Sequence, residues 1–345
     1  MEEFSDFRSD TVTRPTESMK KAMVEAEVGD DVLGDDPTVQ KLEVMASEII
    51  GKQAALFVPS GTMGNAIAIK VWTRELDEII VEAMSHIYNM ESTHLAFISR
   101  VNPRVIFSER GAMDPKEVER NIRKPSVHIP RTSLICLENT HNFKSGAVVP
   151  IGNFKELREI ANNNGLKIHL DGARIFNASH ASGTPVREYA EQSDSLMFCL
   201  SKGLSAPVGS ILAGPENFID YARRVRKALG GGMRQVGILA AAGIVALSEM
   251  RDRLKDDHNR AKELAFGICG LPGISLNPEN IQTNIIIFDF NHPEISISDF
   301  LAKLRDTGIL ALSPSSGKIR LVTHKDVGDG DVKRAISSFK EILTS

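Results

Sequence analysis

Several short segments of the chain place side chains that could do chemistry directly after apolar runs. The first, PSGTMGN at residues 59–65, follows the apolar run Ala54–Val58 and precedes a helical stretch. Its Ser, Gly and Thr residues would leave backbone N–H groups free at a helix N-terminus, where these donors and the helix dipole favour an anion. The segment is neither a P-loop nor a GxGxxG motif, so it implies no nucleotide. An ordinary capped turn is the simpler alternative.

Two further segments bring an acid and an amine to the ends of predicted strands. Asp171 follows the run Lys167–Leu170, and Lys202 follows the run Ser195–Leu200. The carboxylate could bind a cationic ring nitrogen or only cap a helix. In an enclosed site, the lysine could become a nucleophilic amine that forms a Schiff base. The two residues are separated by about one βαβ unit, so neighbouring strands could present both.

A run of three glycines at 230–232 would let the backbone bend sharply and bring Arg234 close to a ligand, although a loop before a helix is the simpler interpretation. Taken together, the segments follow the order that pyridoxal phosphate requires. Its phosphate needs a helix N-terminus, its pyridine nitrogen a carboxylate and its aldehyde an amine. The combination therefore predicts a site for this cofactor.

The elements that must position these residues alternate along the chain. The predicted strands are Ala54–Val58, Glu78–Val81, Arg104–Phe107, Ser133–Leu137, Lys167–Leu170, Ser195–Leu200 and Ser210–Ala213. Helical patterns lie between them, at Thr38–Ile50, Pro115–Arg123 and Phe154–Asn163. This alternation predicts an α/β fold with a mainly parallel, doubly wound sheet, in which ligands bind beyond the carboxyl ends of the strands.

The pattern changes after a long apolar helix predicted near Val236–Arg253. The remaining predicted elements are a strand near Thr283–Phe290, a helix near Ser298–Thr307, a strand at Lys318–Val322 and a terminal helix from Asp331. This part reads as a small α+β domain. We expect an N-terminal arm at 1–14, a large domain at 15–248 and a small C-terminal domain at 249–345.

Composition excludes several classes of protein. The 345 residues include 41 Lys and Arg and 45 Asp and Glu, a net charge of −4 that gives no electrostatic footprint for nucleic acid. The charged start MEEFSDFRSD argues against a signal peptide. The apolar stretch Val236–Leu247 is shorter than the roughly 20 residues needed to span a bilayer. We therefore expect a cytoplasmic protein with no nucleic-acid or membrane partner.

The motifs also carry a family resemblance. In chain order from residue 8 to residue 324 they read RSDTVTRPT, GDD, GDDP, PSGTMGN, LENTHN, HLDGARIFNA, CLSKGL, GGGMRQ and RLVTH. They resemble the threonine aldolases, lyases that depend on pyridoxal phosphate and have the aspartate aminotransferase fold, or fold type I. The resemblance implies cleavage of L-threonine or L-allo-threonine to glycine and acetaldehyde. The alternative is another pyridoxal phosphate lyase, or a serine hydroxymethyltransferase-like enzyme, acting on β-hydroxy amino acids.

The resemblance also implies roles for individual residues. It assigns cofactor binding to Gly61, Thr62, His86, Asp171, Arg174, Lys202 and Arg234. Lys202 would form the Schiff base, Asp171 would pair with the pyridinium nitrogen, and His86 would stack on the ring. Gly61 and Thr62 would hold the phosphate, and Arg234 would reach it from a neighbouring subunit.

The substrate is a small β-hydroxy amino acid, and the resemblance assigns its binding to Ser9, His128, Arg174 and Arg320. The serine and the two arginines would grip the carboxylate, and His128 would lie near the hydroxyl. Shared active sites imply a homo-oligomer, a dimer or a tetramer. One residue departs from the family, because Leu33 stands where many relatives have Tyr.

A different class of enzyme is also open at this point. His169 and Asp171 form an HxD pair that could belong to a 2-His-1-carboxylate iron site. Such oxygenases usually use all-β scaffolds, whereas this chain alternates strands with long helices. We therefore expect no metal and a structural role for His169.

Overall fold

The computed structural model describes residues 4–344. Its strands are β1 Ser5–Asp6, β2 Ala54–Val58, β3 Glu78–Glu82, β4 Asn102–Ile106, β5 Thr132–Glu138, β6 Lys167–Asp171, β7 Ser195–Cys199, β8 Ser210–Gly214, β9 Ile274–Ser275, β10 Ile285–Phe290, β11 Ile309–Leu310 and β12 Lys318–Val322. The first residues of the predicted arm and of the segment tested for a signal peptide, 1–3, lie outside the described residues, as does Ser345 of the predicted small domain.

Helices occupy most of the chain between the strands. They are α1 Glu17–Val24, α2 Pro37–Ile50, α3 Gly61–Trp72, α4 His86–Asn89, α5 Pro115–Asn121, α6 Ile151–Asn164, α7 Ile175–Ser182, α8 Val186–Glu191, α9 Glu216–Ala228, α10 Gly237–Glu249, α11 Leu254–Ile268, α12 Ile297–Asp306 and α13 Asp329–Thr344. Within residues 4–344, none of these helices is long and apolar enough to cross a membrane.

A seven-stranded sheet forms the centre of the molecule, in the order β2-β8-β7-β6-β5-β3-β4. All its strands are parallel except β8, which runs antiparallel to both of its neighbours. Strands β3, β5, β7 and β8 are buried at every residue, as continuous apolar strands are when helices cover both faces of a sheet. The predicted fold class is confirmed, and each predicted strand of this sheet agrees with the structure to within two residues at either end.

One predicted helix was too long. The helix expected near Val236–Arg253 begins at Gly237 and ends at Glu249, and a separate helix that was not predicted begins at Leu254. The two helices pack against different parts of the molecule, α10 against α1 and α2 and α11 against α13 and α7. The chain therefore breaks where the packing partners change.

The apolar side chains form two large separate clusters. The first covers one face of the seven-stranded sheet and extends from Met19 to Leu254. Two smaller clusters cover the other face. The second large cluster is built from residues 261–343, around the antiparallel sheet β12-β10-β9, and it also contains Phe7. The division into domains at residue 248 stays a prediction.

The N-terminal segment packs on the C-terminal part of the chain and then crosses to the large sheet. Strand β1 pairs in parallel with β11, and Val322 donates its N–H to the carbonyl of Phe7. This anchoring delivers the next residues, Ser9 and Asp10, to the carboxyl edge of the large sheet, where Asp10 meets Arg174. Strands β2, β6 and β7 end at the same edge because they run parallel.

Candidate active site

Helix α3 begins at the carboxyl end of β2, as the segment PSGTMGN predicts. Ser60 is the N-cap, and its hydroxyl accepts the N–H of Met63 at 3.2 Å. A Cβ atom on Gly61 would lie 2.9 Å from Cys199 Sγ, so only glycine lets the helix start this close to the end of β7. The first N–H groups of α3, those of Gly61 and Thr62, have no intrahelical partner and are suited to an anion.

Asp171 is the last residue of β6, and its carboxylate is held at both oxygens. Oδ1 accepts the N–H of Ala173 at 3.1 Å, and Oδ2 accepts Asn65 Nδ2 at 2.9 Å. Burial, together with the charges of Glu138 and Glu91, raises the pKa of Asp171 to about 6, although Lys202 and His86 act in the opposite sense. A buried carboxylate with a raised pKa is suited to a cationic partner.

Lys202 follows β7 and faces the same site. Its carbonyl accepts the hydroxyl of Thr13 at 3.1 Å, which fixes the loop against the N-terminal segment. The lysine is half-buried. Its charge acts to lower the pKa of Asp10, which is lowered overall, and that of Asp171, which is raised overall by burial. The predicted juxtaposition of an amine and a carboxylate at neighbouring strand ends is therefore present.

His86 begins α4 and is oriented by two carboxylates. Its backbone N–H donates to Glu138 Oε2 at 2.7 Å, and its ring Nδ1 lies 2.8 Å from Glu91 Oε1. Burial would lower the pKa of His86, but the bond to Glu91 and the charge of Asp171 raise it overall. A ring nitrogen of His86 and one carboxylate oxygen each of Glu91 and Asp171 lie within 4.8 Å of one another, so the ring stands beside the carboxylate of Asp171.

Two arginines, Arg174 and Arg320, both donate to Asn142 Oδ1, and they differ in their other partners. Arg174 forms a bidentate ion pair with Asp10, with Nε and Nη2 each 2.7 Å from a carboxylate oxygen. Arg320 donates Nη2 to Asn142 Oδ1 at 3.0 Å, and its buried Nε has no partner among residues 4–344. Burial and the charge of Arg174 lower the pKa of Arg320 to about 10. Of the two arginines, Arg320 is thus the one with no carboxylate partner among residues 4–344.

Ser9 lies directly before Asp10 in the chain. Its hydroxyl accepts the N–H of Thr11 at 3.2 Å and the Thr11 hydroxyl at 2.9 Å, capping a short 3₁₀ helix over Asp10–Val12. The side chain is half-buried.

Two predicted site residues lie apart from this group within one chain. His128 is exposed on a hairpin that precedes β5, so it lies at the amino edge of the sheet, whereas Asp171 lies at the carboxyl edge. The seven residues of β5 separate the two edges by roughly 20 Å. Arg234 is also exposed and pairs with Asp30 at 2.8 Å. Leu33 lies in the same exposed turn as Asp30, with 76% of its surface exposed.

His169 is not placed as a metal ligand. Its Nδ1 lies 2.9 Å from Ser195 Oγ and its Nε2 lies 3.0 Å from Asn65 Oδ1, so both ring nitrogens are occupied. Burial lowers the pKa of His169 to about 4, which keeps the ring neutral at physiological pH. These contacts remove the basis of the iron-site alternative.

Sequence reasoning missed five polar residues that organise the site: Asp10, Asn65, Glu91, Glu138 and Asn142. Four of them lie inside the motifs RSDTVTRPT, PSGTMGN and LENTHN, so their position in those motifs was an available signal. Glu91 ends the segment SHIYNME, which resembles the family's segment around His86, but only its contacts show its role.

The donor set fits pyridoxal phosphate: an acidic group at Asp171 for a ring nitrogen, an amine at Lys202 for an aldehyde and a helix N-terminus for a phosphate. The buried, unpartnered Nε of Arg320 adds a place for the carboxylate of an amino acid. A mainly parallel sheet with this set at its carboxyl edge defines the class of fold type I, pyridoxal phosphate-dependent enzymes.

Comparison with known proteins gives the family. Residues 6–291 match the beta-eliminating lyases. The chain is 45% identical to a probable low-specificity L-threonine aldolase 2 of Arabidopsis thaliana, over 99% of this chain and 97% of that protein. It is 40% identical to the low specificity L-threonine aldolase of Escherichia coli K12, over 98% of this chain and 99% of that protein. The chain therefore belongs to the beta-eliminating lyase family and, within it, to the threonine aldolases.

Solved structures agree on the fold. The threonine aldolase of Leishmania major superposes with a TM-score of 0.83 at 18% identity, over 98% of this chain and 99% of that chain. A serine palmitoyltransferase of Sphingomonas wittichii superposes with a TM-score of 0.77 at 17% identity, over 98% of this chain and 86% of that chain. At these identities, the likeness concerns the fold alone.

Proposed function

We propose that this enzyme cleaves L-threonine and L-allo-threonine to glycine and acetaldehyde with pyridoxal phosphate as its cofactor. The observation that carries the proposal is the arrangement of Lys202, Asp171 and Arg320, whose buried Nε has no hydrogen-bond partner among residues 4–344, around one edge of the sheet. The names of the Arabidopsis and E. coli relatives support the substrate class.

The cofactor, when bound, supplies an electron sink for the pair of electrons released at the substrate Cα. Asp171 would hold the pyridine nitrogen in its protonated form, because a buried carboxylate stabilises a cation beside it. The first turn of α3 would bind the phosphate through the N–H groups of Gly61 and Thr62. Lys202 would bind the aldehyde carbon through its amine.

The substrate carboxylate would bind to Arg320, with Ser9 beside it. Arg174 is already neutralised by Asp10, so we assign it to holding Asp10 and Asn142 in place rather than to the main substrate contact. Fixing the carboxylate on one side orients the Cα–Cβ bond, and this orientation selects the bond that breaks. The β-hydroxyl proton must leave as that bond breaks, which releases acetaldehyde.

We assign His86 to affect this proton. Its Nδ1 lies 2.8 Å from Glu91 Oε1, which leaves Nε2 as the ring nitrogen for the substrate. A positioned base contributes roughly 10²- to 10⁴-fold to such a step. His128 would take part from a second copy of the chain, since it lies on the other edge of its own sheet.

Replacing Arg320 by lysine is expected to raise KM for L-threonine roughly 10- to 100-fold, because a lysine cannot make the same bidentate contact with a carboxylate. Steady-state kinetics with glycine as the measured product check this. Arg174→Lys is the matched comparison, and we expect it to lower the melting temperature because it breaks the buried pair with Asp10. An unchanged KM in Arg320→Lys would exclude this arginine from the carboxylate site.

We also propose that the active enzyme is a homo-oligomer, a dimer or a tetramer, with sites shared between copies. The exposed positions of His128, Arg234 and Leu33 support the proposal, since each would otherwise have no role at the site. The three free cysteines, of which Cys136 and Cys199 are buried, support a reducing, cytoplasmic location.

Mixing two inactive variants tests the sharing of sites. His128→Asn and Lys202→Ala, unfolded together and refolded as hybrids, should recover up to about a quarter of wild-type activity if the histidine acts on the partner's site. Each variant refolded alone serves as the control. Hybrids that recover no activity, or a His128→Asn variant with full cleavage rate and unchanged epimer preference, would remove His128 from the site.

The proposed reaction is tested by incubating the holoenzyme with each threonine epimer and measuring glycine and acetaldehyde. Equal amounts of the two products, formed without folate, are the expected result. A requirement for folate would favour a serine hydroxymethyltransferase-like activity. Protein that takes up no pyridoxal phosphate, and so stays colourless, would contradict the assignment.

A further inference from the structure

A relay of hydrogen bonds runs beneath helix α3 and ends at the carboxylate of Asp171. Trp72 Nε1 lies 2.8 Å from Ser195 Oγ, and Ser195 Oγ lies 2.9 Å from His169 Nδ1. His169 Nε2 in turn lies 3.0 Å from Asn65 Oδ1. We call these four residues the Trp72–Asn65 relay. Ser195, His169 and Asn65 are fully buried, so water cannot substitute for a missing partner.

The first end of the relay allows one direction. An indole N–H only donates, so the Ser195 hydroxyl accepts from Trp72 and keeps a proton that it can donate to His169 Nδ1. In that arrangement His169 carries its single proton on Nε2 and donates it to Asn65 Oδ1. A neutral ring is what burial of His169 favours, because burial lowers its pKa to about 4.

The other end of the relay fixes this direction. Asn65 faces two carboxylates, with its Nδ2 2.8 Å from Glu91 Oε1 and 2.9 Å from Asp171 Oδ2. A flipped amide would place its oxygen against both carboxylates and its nitrogen against His169 Nε2. Only the orientation with Oδ1 towards His169 lets both amide protons be donated. The Asn65 end therefore requires an arrangement that the Trp72 end can supply.

Asn65 joins the two sides of the proposed cofactor site. One amide proton holds Asp171, the residue we assign to the pyridine nitrogen. The other holds Glu91, whose Oε1 also lies 2.8 Å from His86 Nδ1, and His86 is assigned to the ring. Glu91 and Asp171 are both buried and repel each other, and the shared amide supplies each with a donor.

We propose that Asn65 is a positioning residue for cofactor binding, and that the relay from Trp72 sets the direction in which its amide faces. Asn65 acts through Asp171 and through Glu91, and it need not touch the cofactor itself. The inference rests on the proposed function, because it takes Asp171 and His86 as the cofactor-binding pair.

The first test measures the dissociation constant of pyridoxal phosphate from the apoprotein. Asn65→Leu keeps a similar volume and removes both donors, so we expect binding to weaken on the order of 10- to 100-fold. The matched control is Asn153→Leu, a helix asparagine that donates to the carbonyl of Met113 far from the relay, and its affinity should stay within about twofold. If Asn65→Leu does not fold, Asn65→Asp replaces it, with weaker binding again expected.

The second test reads the relay without cofactor. Nitrogen NMR of ¹⁵N-histidine apoprotein at neutral pH should show His169 protonated on Nε2 only, the resonance being assigned by its loss in His169→Gln. A proton on Nδ1, or a doubly protonated ring, would overturn the relay. Wild-type protein that binds no pyridoxal phosphate would overturn the proposed function and this inference with it. Tight wild-type binding with equally tight binding by Asn65→Leu would overturn this inference alone.

Discussion

Replacing Lys202 by alanine is expected to lower the cleavage rate by at least about 10³-fold, the largest effect expected of a single substitution in this chain. The variant keeps Asp171 and the first turn of α3, so it should still bind pyridoxal phosphate, but without a covalent link. Borohydride treatment of the wild-type enzyme should fix the cofactor to the peptide that contains Lys202. The same treatment of the variant should fix none, and mass spectrometry of the digested protein makes the comparison.

Lys255→Ala is the control for this experiment, since Lys255 is an exposed lysine on α11 to which we assign no part in the site. It should keep the wild-type rate and the reducible linkage. A Lys202→Ala variant with the wild-type rate, or a reduced linkage found at another lysine, would contradict the assignment of the amine.

Asp171→Asn is expected to weaken binding of pyridoxal phosphate between about 100- and 1000-fold, because it removes one partner of a buried charge pair. An asparagine also presents an N–H₂ group to one of the two donors that now hold the carboxylate. Titration of the apoprotein with cofactor, followed by absorbance, measures the change. Affinity within a few-fold of the wild type would contradict the assignment of Asp171 to the ring nitrogen.

The same substitution weakens cofactor binding but is expected to stabilise the apoprotein relative to the wild type as the pH rises. The folded-state pKa of Asp171 is raised to about 6, above its value in the unfolded chain, so protonation stabilises the folded state. This contribution is complete below the unfolded pKa and is lost as the pH rises through the folded pKa. As the pH rises from about 5 to about 8, the free energy of unfolding of the wild-type apoprotein should fall by about 1–2 kcal/mol relative to that of the Asp171→Asn apoprotein.

Asp194 provides a control of opposite sign. Burial would raise the pKa of Asp194, but its hydrogen bonds with Arg158 and Lys167 lower it overall. Its stabilising effect is therefore present above the unfolded pKa and is lost as the pH falls through the folded pKa. Asp194→Asn should therefore lose ground to the wild type as the pH rises to about 5, and the difference between them should stay constant from about pH 5 to pH 8. Denaturant titrations at several pH values compare the two variants. The same pH trend in both would show that the Asp171 carboxylate is not destabilised by burial.

Most of the large sheet could be predicted because its strands are continuous apolar runs with short helical patterns between them. The run Ala54–Val58 and the strand it forms agree at both ends. The small strands β1, β9 and β11 were not predicted, since each has two residues and no periodicity to detect. The end of α10 was placed four residues too late, and α11 was not predicted, for a different reason: both depend on the elements against which each helix packs.

The roles of the arginines show the same limit within the site. The resemblance grouped Arg174 with Arg320, and the structure distinguishes them through Asp10. Asp10 forms an ion pair with Arg174, and Arg320 has no carboxylate partner among residues 4–344. Asn65 and Glu91 had no assigned role for a similar reason. Their importance comes from partners that are remote in the chain, such as the pair formed by Asn65 and Asp171.

By itself, the sequence determined the identity of the chemical groups and the strand ends that carry them. Hydrophobic periodicity and turn residues are local properties, so they locate Asp171 and Lys202 at the carboxyl edge of a parallel sheet. Only the tertiary structure decided which charges are neutralised, which guanidinium remains free and on which edge His128 lies. Those outcomes depend on the order of the strands and on contacts between distant segments, and local sequence patterns do not specify either.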